Sequence, residues 1–135
     1  MLEPISVRGF EPKTAKPGEE VARKITLRDF ILTTHENLDK LREKYRGKNL
    51  SLNVIFYLYS GNIADSSRYV KDLDNLLKIV LDILPDYMDS AKKESGLGII
   101  EGDRDDLIHE IHTKKEFVLD QDKEGMEIEI SEVKN

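Results

Sequence analysis

The run Lys71-Asp72-Leu73-Asp74-Asn75-Leu76-Leu77-Lys78 places two carboxylates on either side of one leucine, an amide beside them and an ammonium one helical turn later. Asp82 follows Lys78 by four residues, and residues four apart share a helix face. A second acidic stretch, Glu101, Asp103, Asp105 and Asp106, comes after the apolar pair Ile99-Ile100. Hard carboxylate oxygens suit Mg²⁺, which takes few protein ligands and keeps several waters. Mn²⁺ is a possible substitute. The bound ion would lower the pKa of water and neutralise charge on a scissile phosphate. Lys78 would then stabilise the transition state or hold the carboxylates in place. A plainer reading stands beside this one. Asp at a helix start caps the helix and suits its dipole. Asp74, Lys78 and Asp82 also describe a surface ion-pair ladder, in which each pair contributes a few tenths of a kcal/mol. Composition and spacing alone favour the ladder, because charge runs usually mark solvated faces.

The surrounding elements must position these groups. Ile5 to Phe10 alternate as a short first strand, and Glu11 to Glu20, with Pro12, Pro17 and Gly18, reads as a loop. Thr26 is a candidate cap for a helix running to about Arg46, with Leu27, Phe30, Ile31, Leu38 and Leu41 on one side and Gly47 ending it. Leu50 to Tyr59 is rich in β-formers and reads as a buried strand, with Leu52, Val54, Phe56 and Leu58 as core. Ser60 to Val70 reads as a mobile loop. A second helix starts near Asp72, its apolar positions Leu73, Leu76, Leu77, Val80, Leu81 and Leu84 follow the helical period, and Pro85 stops it. Asp86 to Gly98 is a connector with a candidate helical turn at Ser90 to Lys93. Leu107 to Phe117 and Met126 to Val133 have strand character, and Asp122-Lys123-Glu124-Gly125 between them fits a hairpin turn. Glu127 and Glu129 read as a solvated face that discourages edge pairing. The last four residues are expected to fray. The order β-α-β-α-β-β predicts an α+β fold, one mixed sheet of about four strands covered by two main helices. A strand end beside a helix start offers a place for the two acidic stretches to meet.

Length and composition set the bounds. The 135 residues fit one domain spanning 1–135. With 39% hydrophobic residues in periodic runs, the composition is not that of a disordered chain. There is no cysteine, which excludes disulfides, thiolate metal sites and a thiol nucleophile. No signal-peptide pattern opens the chain, and no apolar run reaches the roughly 20 residues that span a bilayer. A soluble cytoplasmic protein without a membrane partner is the expectation. The net charge of -6 argues against a general nucleic-acid binder, since phosphate affinity comes from Lys and Arg. Divalent cations held by an acidic site would offset part of that charge.

The motif run followed by Asp82 resembles the central motif of RusA-type Holliday-junction resolvases: a basic residue, D-L-D-N, two residues, Lys, then Asp. The segment Gly98-Ile99-Ile100-Glu101-Gly102-Asp103 resembles the second motif of that family, a short apolar turn leading to an aspartate pair. The resemblance covers Leu50 to about Lys115. It implies a homodimeric, Mg²⁺-dependent endodeoxyribonuclease that nicks two strands of a four-way DNA junction symmetrically, in recombination and repair. Carried over residue by residue, Asp72 and Asp74 would be metal ligands, Lys78 the catalytic lysine, Asp82 a supporting acid and Asp103 the third essential carboxylate. Asn75 lies beside them. The family's acidic pair stands here as Gly102-Asp103 with Asp105 and Asp106 close behind, so Asp106 is the alternative third ligand; spacing from Ile99-Ile100 favours Asp103. The connector from Pro85 to Gly98 is longer than the family's, and the chain is acidic where a junction binder is expected to be basic.

Arg68, Lys71 and Arg104 flank the candidate site and would hold DNA phosphates, or else are solvated surface charges. Tyr69 could stack on an unpaired base, although anchoring its loop is the better reading. His109 and His112, three apart on a strand, fall on opposite faces and form no metal pair; His35 is isolated on a helix. Two functions of different class follow: a junction-selective metal-dependent endonuclease, or a non-catalytic or regulatory nucleic-acid-binding module that keeps the fold and some of the carboxylates.

Overall fold

A computed structural model describes residues 4–12, 20–59, 73–88, 94–102 and 104–133. The chain runs β1 (Ile5–Arg8), α1 (Glu20–Thr34), α2 (Leu38–Tyr45), β2 (Leu50–Tyr59), α3 (Leu73–Ile83), β3 (Ile108–Val118) and β4 (Gly125–Glu132), with short 3-10 turns at Asp105–Leu107 and Gln121–Lys123. The four strands form one mixed sheet in the order β1-β4-β2-β3. The fold is therefore α+β with a single sheet, as the sequence predicts.

β2 is the spine. Its alternate residues Leu50, Leu52, Val54, Phe56 and Leu58 are buried, while Ser51, Asn53, Ile55, Tyr57 and Tyr59 on the other face are half-buried or exposed. The buried set meets Leu27 and Ile31 of α1, Leu38, Leu41 and Tyr45 of α2, and Leu76, Val80 and Ile83 of α3 in one core. The three described helices thus cover one face of the sheet, and among the described residues no helix covers the opposite face. Among the described residues, no helix is long and apolar enough to cross a membrane.

Three local expectations fail for identifiable reasons. The long helix from Thr26 is two helices. Thr26 lies inside α1, its hydroxyl donating to the Ala22 carbonyl at 2.9 Å. Thr33 and Thr34 donate in the same way to Asp29 and Phe30 at 2.8 Å, and the chain leaves the helix after them. Such back-bonding loosens a helix turn. Ile31 and Leu38 are seven residues apart, two helical turns, so the apolar period runs through the break without a change of phase.

The expected β3–β4 hairpin is also absent. β3 pairs with β2 in parallel, and β4 pairs with β2 antiparallel on its other side. Residues 119–124 carry the chain past the Tyr59 end of β2. Gly125 serves the β1–β4 pairing instead of a two-residue turn. It stands opposite Arg8, and a Cβ there would collide with the Val7 carbonyl oxygen. β4, with Glu127 and Glu129, is accordingly an interior strand and protects no edge. Among the described residues, the edges are β1 and β3.

The loop expected over Ser60 to Val70 and the turn at Ser90 to Lys93 lie outside the described residues.

Gly125→Ala should separate β1 from β4 and cost about 1–3 kcal/mol, the scale of an overpacked site. Urea denaturation would read this as a lower midpoint at unchanged slope. An unchanged midpoint would show that the close approach at Gly125 is not needed.

Candidate metal centre and the acidic turn

α3 presents Leu76, Val80 and Ile83 to the core, and Asp74, Asn75 and Lys78 to solvent. No ion pair engages Asp74 or Lys78 among the described residues. The ladder is incomplete at its far end as well: Asp82 turns to α1, where Lys24 Nζ lies 2.9 Å from its carboxylate. Asp82 thus ties α3 to α1 and does not extend the row above it. Asp72, Lys71, Arg68 and Tyr69 lie outside the described residues, as does Asp103.

The second acidic stretch is fixed by a clamp that the sequence does not advertise. After α3, the segment 84–86 runs alongside 97–102. The Ile99 and Ile100 N–H groups both donate to the Leu84 carbonyl, at 2.9 and 3.1 Å, and Pro85 and Ile100 form a parallel bridge. The Asp86 N–H donates to the Gly102 carbonyl at 3.2 Å, and the Gly102 N–H donates to Asp86 Oδ2 at 2.8 Å. Gly102 sits at φ +59°, a conformation that suits glycine. From α2, Arg42 Nε donates to the Leu97 carbonyl at 2.7 Å. Arg46 donates from Nη1 to Asp86 Oδ1 at 2.6 Å and to the Gly98 carbonyl at 2.8 Å, and from Nη2 to Asp86 Oδ2 at 3.3 Å. Hydrogen bonds from Arg46 hold the Asp86 carboxyl below its ordinary range against the opposing effect of burial, and the Gly102 N–H adds to them. Arg46 is correspondingly raised.

This clamp places the acidic stretch at one particular end of α3. Gly102 stands beside Asp86, past the helix C-terminus, and Ile108 pairs with Leu50 where β2 begins. Asp74 is in the first turn of α3. Leu76 and Ile79 line a small cavity with Phe56 and Met126, toward the end where β2 finishes. Nine residues at 1.5 Å each put Asp74 about 14 Å from Ile83 along the helix. Two carboxylate oxygens on one Mg²⁺ lie within roughly 4 Å of each other. The expected meeting of the two stretches is therefore not found for Asp74 with Glu101 or Asp106, because parallel β2–α3–β3 connectivity sends them to opposite ends of the helix. Among the described residues, no three His, Asp or Glu side chains gather as a ligand set.

Asp106, the alternative third ligand, is held by its neighbour. Arg104 Nε and Nη2 donate to its two carboxylate oxygens at 2.9 and 3.0 Å, and this pairing lowers its pKa. Arg104, a candidate either for DNA phosphates or for a solvated surface charge, is turned to Asp106. His109 and His112 are exposed, and the His35 Nε2 atom is buried without a hydrogen-bond partner among the described residues. Glu124, within the segment whose local chemistry fits a turn, is buried. Its carboxylate lies 3.4 Å from the Tyr59 N–H, and its carbonyl accepts the Gly9 and Phe10 N–H groups at 2.8 and 3.2 Å.

A carboxyl held below its unfolded value stabilises the fold above the unfolded pKa and loses that effect as pH falls through the folded one. Asp86→Asn should therefore cost roughly 1–2 kcal/mol at pH 7, the scale of charge-assisted hydrogen bonds partly open to solvent. The gap to the wild-type chain should narrow as pH drops below the ordinary carboxyl value of 3.8. Thermal melts of both chains from pH 7 to 2.5 measure this. A gap constant across that range would remove the Arg46–Asp86 clamp as its source.

Comparison with known protein families, with curated proteins and with solved structures gives no match for this chain.

Proposed function

We propose that this chain is a divalent-metal-dependent endonuclease that nicks branched DNA, four-way junctions first among its substrates. The register of the run Asp72-Leu73-Asp74-Asn75, two residues, Lys78 carries the reading. It is supported by the exposure of Asp74, Asn75 and Lys78 on one side of α3, with neither charged group taken up by an ion pair among the described residues. A surface ladder would spend these groups on one another; here Asp82 goes to Lys24 and leaves them open.

The donor set suits the ion chemically. Asp74, with Asp72 two residues before it, offers hard oxygens near the start of a helix, and Mg²⁺ requires only one or two carboxylates. Such an ion supplies a water of lowered pKa and charge neutralisation at the phosphate. Lys78, one turn further along α3, is the group that would neutralise a non-bridging or leaving oxygen of the phosphodiester. Asn75 would orient a water or phosphate by its amide.

The rival, a non-catalytic binding module, draws on one observation: Glu101 and Asp106 stand at the other end of α3 from Asp74. One chain by its described residues offers half a site.

Asp72→Asn and Asp74→Asn should each lower Mg²⁺-dependent cleavage of a labelled four-way junction by roughly 100-fold or more, the scale of losing one electrostatic contact to a transition state. Circular dichroism must show both variants folded. Undiminished cleavage would exclude those carboxylates. In parallel, Mg²⁺ should stabilise the wild-type chain by about 2.7 kcal/mol at one hundred times its dissociation constant, read as a rising melting temperature. The Asp74→Asn chain should respond less. Binding of Mg²⁺ without cleavage would favour the rival.

A further inference from the structure

Among the described residues, Glu124 is the one charged side chain that is buried, at 2% exposure. Taking a carboxylate out of water is costly unless its oxygens are hydrogen-bonded. Its place in the sheet shows what those oxygens supply. Glu124 immediately precedes β4, the strand that lies between β1 and β2. Gly125, the first residue of β4, stands opposite Arg8 of β1 and Tyr57 of β2. β2 continues to Tyr59, but the residues that would extend the ladder beside it, Gln121–Lys123, are wound into a 3-10 turn. Glu124 Oε2 stands in for the missing strand and lies 3.4 Å from the Tyr59 nitrogen, a long contact. On the other side, the Glu124 carbonyl accepts the Gly9 and Phe10 N–H groups at 2.8 and 3.2 Å, just past the end of β1. One residue thus closes the ends of both strands that flank β4.

That end of the sheet carries the first turns of α3. Phe10 from beyond β1, Phe56 from β2 and Met126 from β4 line a small cavity together with Leu76 and Ile79 of α3. Phe10 is held by the Glu124 carbonyl, and Met126 follows Glu124 by two residues. Asp74 is two residues before Leu76, and Lys78 is two after it. A gap beside Leu76 forfeits part of the dispersion contact that would otherwise fix it. The standing of this helix turn therefore depends on how firmly the walls around the gap are held.

We infer that Glu124 is a positioning residue for the α3 site: by closing the ends of β1 and β2 it fixes the seat on which Asp74, Asn75 and Lys78 stand. The catalytic part of this rests on the proposed nuclease reading; the seat does not. Reach decides the role, because Oε2 must arrive at the Tyr59 N–H. Small displacements at such a seat matter to chemistry, since a misplacement of about 1 Å costs on the order of 100-fold in rate.

Two conservative variants separate reach from charge. Glu124→Asp keeps the charge and shortens the side chain by one carbon–carbon bond, about 1.5 Å. Glu124→Gln keeps the length and an acceptor oxygen and removes the charge. Amide hydrogen exchange, read residue by residue by NMR, reports on the seat. In Glu124→Asp the amides of Tyr59 and of Leu77, in the first turns of α3, should exchange at least about fivefold faster, the effect of losing one net hydrogen bond. The Ile99 amide, which donates to the Leu84 carbonyl past the other end of α3, should keep its protection. In Glu124→Gln all three should exchange at wild-type rates. Equal acceleration at Ile99 would mark a loss of overall stability and overturn the positioning role. Glu124→Gln tests the inference even if Glu124→Asp does not fold, since lost protection at Tyr59 in the Gln chain contradicts a role set by reach.

Nicking of a labelled four-way junction with Mg²⁺ reads the site itself. Glu124→Asp should lower kcat by roughly 10- to 100-fold, the scale of a misplaced group, with KM for the junction unchanged. Glu124→Gln should keep kcat near the wild-type value. The reverse order, with Gln impaired and Asp not, assigns the role to the charge and overturns the inference. Two variants that match the wild-type chain in exchange and in rate overturn it as well. A wild-type chain that does not cut overturns the nuclease reading, and the exchange rates then decide the seat by themselves.

Discussion

The structure depends on β2 being paired on both sides while one of its faces is fully buried. Leu52, Val54 and Phe56 have no exposure at all, and every helix contributes to the layer above them. A strand so enclosed cannot shift register by one residue without exchanging its buried and exposed faces. Everything attached to it inherits its direction. β3 runs parallel to it, so the chain must return through α3, and α3 therefore runs against both strands. β4 runs antiparallel on the other side and holds β1. The placement of each acidic group follows from that polarity.

The Arg46–Asp86 clamp is the second consequence. The connector after α3 has to leave the helix, double back and enter β3 beside the start of β2. Arg42 and Arg46, in the last turns of α2 and just before β2, take the carbonyls of Leu97 and Gly98 and the Asp86 carboxylate. An arginine fork matches a carboxylate in two contacts, which fixes direction as well as distance. The Gly102 N–H on the same carboxylate extends that control to the residues leading into Arg104–Leu107.

Much of this was legible in the amino-acid order. β2 was readable to its ends because alternating apolar residues mark a half-covered strand, and α3 because its leucines keep the helical period up to Pro85. The α+β class and single sheet followed from the order of elements. What could not be read depends on contacts between distant positions. Arg46 and Asp86 are forty residues apart and carry no local signature. The partner of Asp82 is Lys24, on another helix, where local spacing suggested Lys78. Local turn chemistry at Asp122–Gly125 resembles a hairpin and so points to the wrong neighbour for β4, whereas the pairing is decided by Met126, Ile128 and Ile130 meeting Phe56, Val54 and Leu52. Of the site, the α3 half was visible as a motif. The distance to the acidic turn was not, because spacing along the chain gives no strand direction.

That missing direction bears on what the acids can do together. Within one copy, a residue preceding β3 reaches the start of α3 only by travelling the length of the sheet, and the chain uses that length to build β3 itself. Moving the turn along the surface would require breaking the Asp86–Gly102 contacts and the core seat of Ile99 and Ile100, which are fully buried. The sheet edge at β3 is where the charges of that strand alternate in sign, Glu110, Lys114 and Glu116, around the exposed apolar pair Ile111 and Phe117. Lysines on an edge usually repel a second strand. Lysines interleaved with glutamates repel most registers of an approaching strand, so these charges guard an edge that the exposed apolar pair would otherwise open to pairing.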